Sequence, residues 1–204
     1  MHKTVRCALL ALATLAFAGA ADAAVTVTNV VGDVLAPGFT KVVDFDNAPA
    51  AGYSLSGTFS VFANSTGIAA APPGDATKFA GLQTGQSLNL HSVTGFNKFS
   101  FYMGSPDSYN YVTVNGVTLN GSALMGLPFV ASNGNQSVGR TVTYDLGGML
   151  AHDVTFSSRG IAFEFDNIAV SGGVPEPITW ALMISGFAMV GATLRRRRAV
   201  LLAG

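Results

Sequence analysis

The chain has 204 residues, enough for one domain with its own core plus short terminal segments. Its 11 basic and 11 acidic side chains cancel, which gives no overall field to draw in nucleic acid, and its single cysteine excludes an internal disulfide framework. Hydrophobic residues make up 49% against 11% charged, and much of that apolar excess lies at the two ends.

The first segment reads as a secretory signal. Lys3 and Arg6 form a basic start, Cys7 to Gly19 an apolar stretch, and Ala21-Asp22-Ala23 a small-residue cleavage site, so residues 1–23 are predicted to be a signal helix removed by signal peptidase. Cleavage is placed after Ala23, with Ala24 as the alternative. Cys7 falls inside the signal and too early for a lipid-modified cysteine, which leaves the exported chain without a thiol. The domain that follows, 24–174, is mildly acidic and has no basic patch for nucleic acid. Its bases are Lys41, Lys78, Lys98, Arg140 and Arg159, and its acids are Asp33, Asp44, Asp46, Asp75, Asp107, Asp145, Asp153, Glu164 and Asp166.

Within that domain the hydrophobic period is two. Strands are predicted at 25–31 and 40–46, and Tyr53, Leu55, Gly57, Phe59 and Val61 alternate with polar residues as one further strand. Others follow at 77–82, at 87–92, and at Phe99, Phe101 and Met103. Val112 to Leu119 reads as a hairpin, because Asn115-Gly116 supplies the positive φ values of a type I′ turn. The last strands fall at 140–146, 153–157 and 161–170. Short strands at this spacing, separated by turn-rich loops such as 64–75 and 132–139, predict an all-β, antiparallel sandwich of jelly-roll or Greek-key type.

The closing strand changes phase. Ile161, Phe163 and Phe165 occupy odd positions, whereas Ile168 and Val170 are even, so a bulge is expected at Asp166-Asn167 that turns Asp166 toward a sheet edge. Asp44 and Asp46 alternate with Val43 and Phe45 in the same way. If the early and closing strands are neighbours, Asp44, Asp46, Glu164 and Asp166 could gather and bind calcium, a cation that takes six to eight oxygens. The competing reading is a set of solvated charges and Asx-turn caps. Tyr102, Asp107, Tyr109 and Asn110, with Tyr111 beside them, form a second candidate set. Tyrosines next to Asp and Asn can stack on sugar rings, and they can equally rim a core. Catalysis is not expected: the mature chain keeps only His91 and His152, and no nucleophile elbow or His/Cys ligand set is present.

The C-terminal segment is the most specific. Pro175-Glu176-Pro177 is held extended by its prolines, and 178–194 follows as an apolar stretch about 25 Å long as a helix, a minimal membrane span. Arg195, Arg196, Arg197 and Arg198 then anchor that end in the cytoplasm. Pro175-Glu176-Pro177 with Trp180-Ala181, the apolar stretch and the arginines closely resembles the PEP-CTERM sorting signal in its PEPxxWA variant, and 175–204 is assigned to it. The resemblance implies an exosortase, a membrane-embedded protease that cleaves near Pro-Glu-Pro and passes the protein to the cell surface or extracellular matrix. It also implies a Gram-negative bacterium that makes exopolysaccharide. Phe99 to Asn110 is similar to a FYWGSxDxYN segment of exosortase-dependent surface proteins, with Met103 in place of the aromatic, and Val43 to Ala48 and Phe165 to Val170 are similar to other segments found there. No biochemical activity comes with these likenesses. The chain is therefore expected to be an exported, non-enzymatic surface or matrix protein, transiently anchored in the inner membrane. The alternative is a carbohydrate- or calcium-binding module, with exopolysaccharide as a partner, on the same tail.

Overall fold

A computed structural model describes residues 25–104, 107–120, 139–173 and 183–191. Twelve strands form among them: β1 (Thr26–Val31), β2 (Thr40–Val43), β3 (Tyr53–Thr58), β4 (Ser60–Phe62), β5 (Phe79–Leu82), β6 (Ser87–Phe96), β7 (Lys98–Met103), β8 (Asn110–Val114), β9 (Val117–Asn120), β10 (Arg140–Asp145), β11 (Ala151–Ser158) and β12 (Phe163–Ser171). They make two antiparallel sheets. The larger runs β1-β10-β7-β12-β5-β4, with β2 also on β12, and the smaller runs β3-β6-β11-β8-β9.

The sheets pack through the alternating residues the sequence exposes. Leu88, Leu90, Val112, Val114, Val154 and Phe156 of the smaller sheet meet Phe99, Phe101, Met103, Val142, Tyr144, Phe163 and Phe165 of the larger. Phe156 sits at the centre, stacked on Phe165 at 4.4 Å between centroids and edge-on to Phe101 at 5.0 Å. Aromatic pairs of this kind add about 0.5–1.5 kcal/mol each to the burial of their area. The hairpin forms as expected: Asn115 and Gly116 both have positive φ between paired β8 and β9.

The stretch 53–61 is not one strand. β3 pairs with β6 in the smaller sheet and β4 with β5 in the larger, so the chain changes sheets at Phe59. Gly57 permits this with φ +109°, and a Cβ there would collide with the Ser87 carbonyl. The phase shifts as well: Val61 is exposed, and Phe62 instead stacks on Phe79 at 5.8 Å.

β12 carries the expected bulge. Its register slips against β7 between Asp166 and Ala169, and Asn167 adopts φ +52°. The early strand is its neighbour, since β2 pairs with Ile168 to Val170. One expectation is corrected: Asp166 is not at a sheet edge, because β7 runs along one side of β12 while β5 and then β2 fill the other.

The residues 183–191 form a short helix, α1, with Ile184, Phe187 and Met189 exposed. No helix among the described residues is long and apolar enough to cross a membrane. The signal segment 1–23, the sorting residues Pro175, Glu176, Pro177, Trp180 and Ala181, both ends of the 178–194 span (178–182 and 192–194), and Arg195 to Arg198 lie outside the described residues.

Candidate functional site

The even positions of β7, and of β12 before its bulge, point away from the core, which would leave Glu164, Asp166 and Tyr102 in solvent on a bare sheet. They are buried instead, at 3%, 0% and 2% exposure. The segment between β4 and β5, residues 63–78, crosses this face and is tied to it at three points. The Ala70 N–H donates to Glu164 Oε1 at 2.9 Å, the Tyr102 hydroxyl donates to the Pro73 carbonyl, and Thr77 Oγ1 lies 3.1 Å from Asp166 Oδ2. Its local shape follows from its own side chains. Thr66 Oγ1 accepts the Ile68 and Ala69 N–H groups, Ser65 Oγ accepts that of Ala71, and the Pro72 carbonyl accepts the Asp75 N–H.

At one end of this cover lies a cleft of about 270 Å³, lined by 66–70, Asp107, Tyr109, Ile161, Ala162 and Glu164. Glu164 Oε2 has no hydrogen-bond partner there. Burial pushes the Glu164 carboxyl above its ordinary range; the Ala70 N–H opposes this and the Asp107 charge adds to it. Tyr109 donates its hydroxyl to the Ile161 carbonyl at 2.9 Å. Burial first, then Asp107 and Glu164, raise that phenol as well.

The other end holds two acids around one hydroxyl. Thr77 Oγ1 lies 2.6 Å from Asp75 Oδ1 and 3.1 Å from Asp166 Oδ2, and the Thr77 N–H also donates to Asp75 Oδ1 at 2.8 Å. A hydroxyl has one proton to give, so it cannot serve both carboxylates at once. The remaining oxygens, Asp75 Oδ2 and Asp166 Oδ1, are buried without partners. Burial drives the Asp166 carboxyl up to about 7, helped by the nearby Asp75 charge and opposed by the Asn167 N–H, Thr77 and Lys41.

The candidate calcium set comes apart in this arrangement. Asp44 is taken up by the turn after β2, accepting the Asn47 N–H at 3.0 Å and the Asn47 side-chain amide at 3.2 Å. Asp46 accepts the Lys78 N–H at 3.3 Å. Glu164 and Asp166 face the 63–78 cover instead, and no three His, Cys, Asp or Glu side chains converge on a metal position among the described residues. The tyrosine set divides too. Tyr102 and Asn110 are buried, with Asn110 Oδ1 accepting the Ser158 hydroxyl at 3.2 Å, so neither presents itself to a sugar. Asp107 and Tyr109 line the cleft, and Tyr111 lies under the Arg159 guanidinium at 4.9 Å. The sequence reading passed over Asp75 and Thr77. Their only local signal is an Asp-x-Thr turn after Pro72-Pro73-Gly74, a pattern common in loops.

The outer face of the smaller sheet is a second polar feature. Register aligns Ser54, His91 and Asp153 in one row, and Ser56, Asn89, Thr155, Thr113 and Thr118 in the next. Asn89 donates to Asp153 at 2.9 Å, Thr155 to Asn89 at 2.9 Å, and the Thr113 and Thr118 hydroxyls meet at 2.8 Å. His91 lies 3.0 Å from Asp153, which Asn89 first and His91 next hold below the usual carboxylate range.

No protein-family model matches the chain, and no curated protein matches it. A solved structure of a peptidoglycan O-acetylesterase is similar at 15% identity and a TM-score of 0.41, over 67% of this chain and 34% of that one. The chain thus spans about a third of that protein's length. A likeness at this level carries no argument about activity.

Proposed function

We propose that this chain is an exported surface or extracellular-matrix protein, sorted by an exosortase-like membrane protease, whose β-sandwich acts as a non-catalytic module at its destination. The observation that carries the reading is the run Pro175-Glu176-Pro177, Trp180-Ala181, the apolar 178–194 stretch and Arg195 to Arg198, which closely resembles the PEP-CTERM signal in its PEPxxWA variant. The end of the fold supports it. β12 stops at Ser171, and Gly172 and Gly173 lead out of the sheet with positive φ, so cleavage near Pro175 would leave β12 whole. In this scheme signal peptidase removes 1–23, the short span and the arginines hold the protein in the inner membrane, and the protease releases or transfers 24–174. The winding is taken as jelly-roll-like, since successive strands alternate between the sheets from β5 to β8 and again from β9 to β12.

A second reading, contact with polysaccharide, is favoured by the hydroxyl and amide rows on the smaller sheet, which offer paired donors and acceptors to a sugar chain.

Deleting 175–177 tests the sorting proposal in a cell that possesses the protease. The variant should stay in the inner membrane, while the wild type should lose its C-terminal tail, as read by fractionation and mass determination. Wild-type protein recovered from that membrane intact to Gly204 would reduce the tail to an ordinary anchor.

A further inference from the structure

Besides Glu164 Oε2 in the cleft, two partnerless carboxylate oxygens lie at the other end of the 63–78 cover, and they come from different elements. Asp75 belongs to the covering segment and Asp166 to β12, and both contact the same Thr77 hydroxyl. Buried carboxylate oxygens are costly to leave unmatched, about 1–3 kcal/mol for an unsatisfied group and more when it is charged. Neighbouring groups do little to relieve this. Pro72 and Pro73, in the same covering segment, have no N–H to offer. The Asn167 side-chain amide is turned away to Asp33, at 2.6 Å. Protein groups thus give the two acids one shared hydroxyl proton, the Thr77 N–H and the Asn167 N–H, and leave one oxygen of each without a partner.

We propose that a calcium ion binds between Asp75 Oδ2 and Asp166 Oδ1, fastening the 63–78 cover to β12. The donor chemistry selects this class of ligand. Two carboxylates and a threonine hydroxyl are hard oxygen donors without nitrogen or sulfur, the kind that Ca²⁺ accepts in flexible six- to eight-fold geometry with water completing the shell. Mg²⁺ demands a tighter octahedron and gives up its waters reluctantly, so it fits a partly buried, irregular set less well. Only two carboxylates contribute, which places the affinity with the extracellular modules, on the order of 10⁻⁴–10⁻³ M. That range is useful outside the cell, and to this extent the inference leans on the export proposal.

The test uses the full chain in detergent micelles, treated with EDTA and then titrated with CaCl₂, MgCl₂ or NaCl. Thermal melting and calorimetric binding are followed together. Calcium should raise the melting temperature by about 5–10 °C at a hundredfold excess over its dissociation constant. Magnesium should need at least about tenfold more, and sodium at matched ionic strength should do nothing. Asp75→Asn and Asp166→Asn should each weaken calcium binding at least about tenfold, while Asp153→Asn, on the opposite sheet, should leave it unchanged. Melting unaffected by calcium up to several millimolar overturns the site, and so does a calcium response that persists in both Asn variants. If either variant fails to fold, the wild-type titration alone decides. Sorting is read by fractionation and not by melting, so the two proposals fail separately.

Discussion

Replacing Asp166 by Asn isolates the cost of burying its charge. The carboxyl has an ordinary value of 3.8 and is raised to about 7 in the fold, with burial as the leading cause and Asp75 next. Below pH 3.8 the folded and unfolded chains both carry the proton, and the stabilisation from holding it is fully present. Between 3.8 and about 7 the unfolded chain releases the proton while the fold retains it. Stability is therefore lost as pH rises, at about 1.4 kcal/mol per unit, until the folded group also ionises. The full loss approaches about 4 kcal/mol above pH 7 as an upper bound, since Thr77 and the Asn167 N–H stabilise the ionised form. Asn has the same shape and no charge, and its amide can donate to an acceptor nearby. In EDTA the variant should match the wild type near pH 4 and exceed it by about 2–4 kcal/mol at pH 8. Urea unfolding from pH 4 to 8 measures the difference between the two proteins, in which the other titrating acids cancel. Parallel pH profiles would refute the reasoning. At pH 8, calcium at a hundredfold excess over its dissociation constant should add about 2.7 kcal/mol to the wild type and so close most of this gap.

Other perturbations reach separate parts of the argument. Phe156→Ala removes the ring between Phe101 and Phe165 and should cost about 3–5 kcal/mol in urea unfolding. Asn167→Val places a β-branched residue at φ +52° and removes the bond to Asp33; it should destabilise by about 1–3 kcal/mol, while Asn167→Gly should cost less. Neutralising Arg195 to Arg198 should weaken membrane retention of the unprocessed chain, since each arginine resists crossing by roughly 2.5–3.5 kcal/mol; fractionation reads the loss.

Local pattern was enough to show the strands, the hairpin and the bulge. Alternation along Phe99 to Met103 reports a half-buried strand whichever partner it finds, Asn115-Gly116 encodes its turn in two residues, and the phase change at Asp166-Asn167 is visible wherever β12 lies. The sorting tail is also a matter of sequence alone, because a protease reads it as an extended motif beside an apolar stretch. Tertiary structure decided what alternation cannot carry. Period two assigns Glu164 and Asp166 to the non-core face but is silent on whether that face meets water, and here a turn-rich loop covers it. The break of 53–61 into two sheets likewise depends on Gly57 meeting Ser87, residues about thirty positions apart. The pairing of Asp75 with Asp166 is of the same kind: each reads as an ordinary loop or strand acid by itself, and only the fold of 63–78 over β12 brings both onto one hydroxyl with an oxygen of each buried and unmatched.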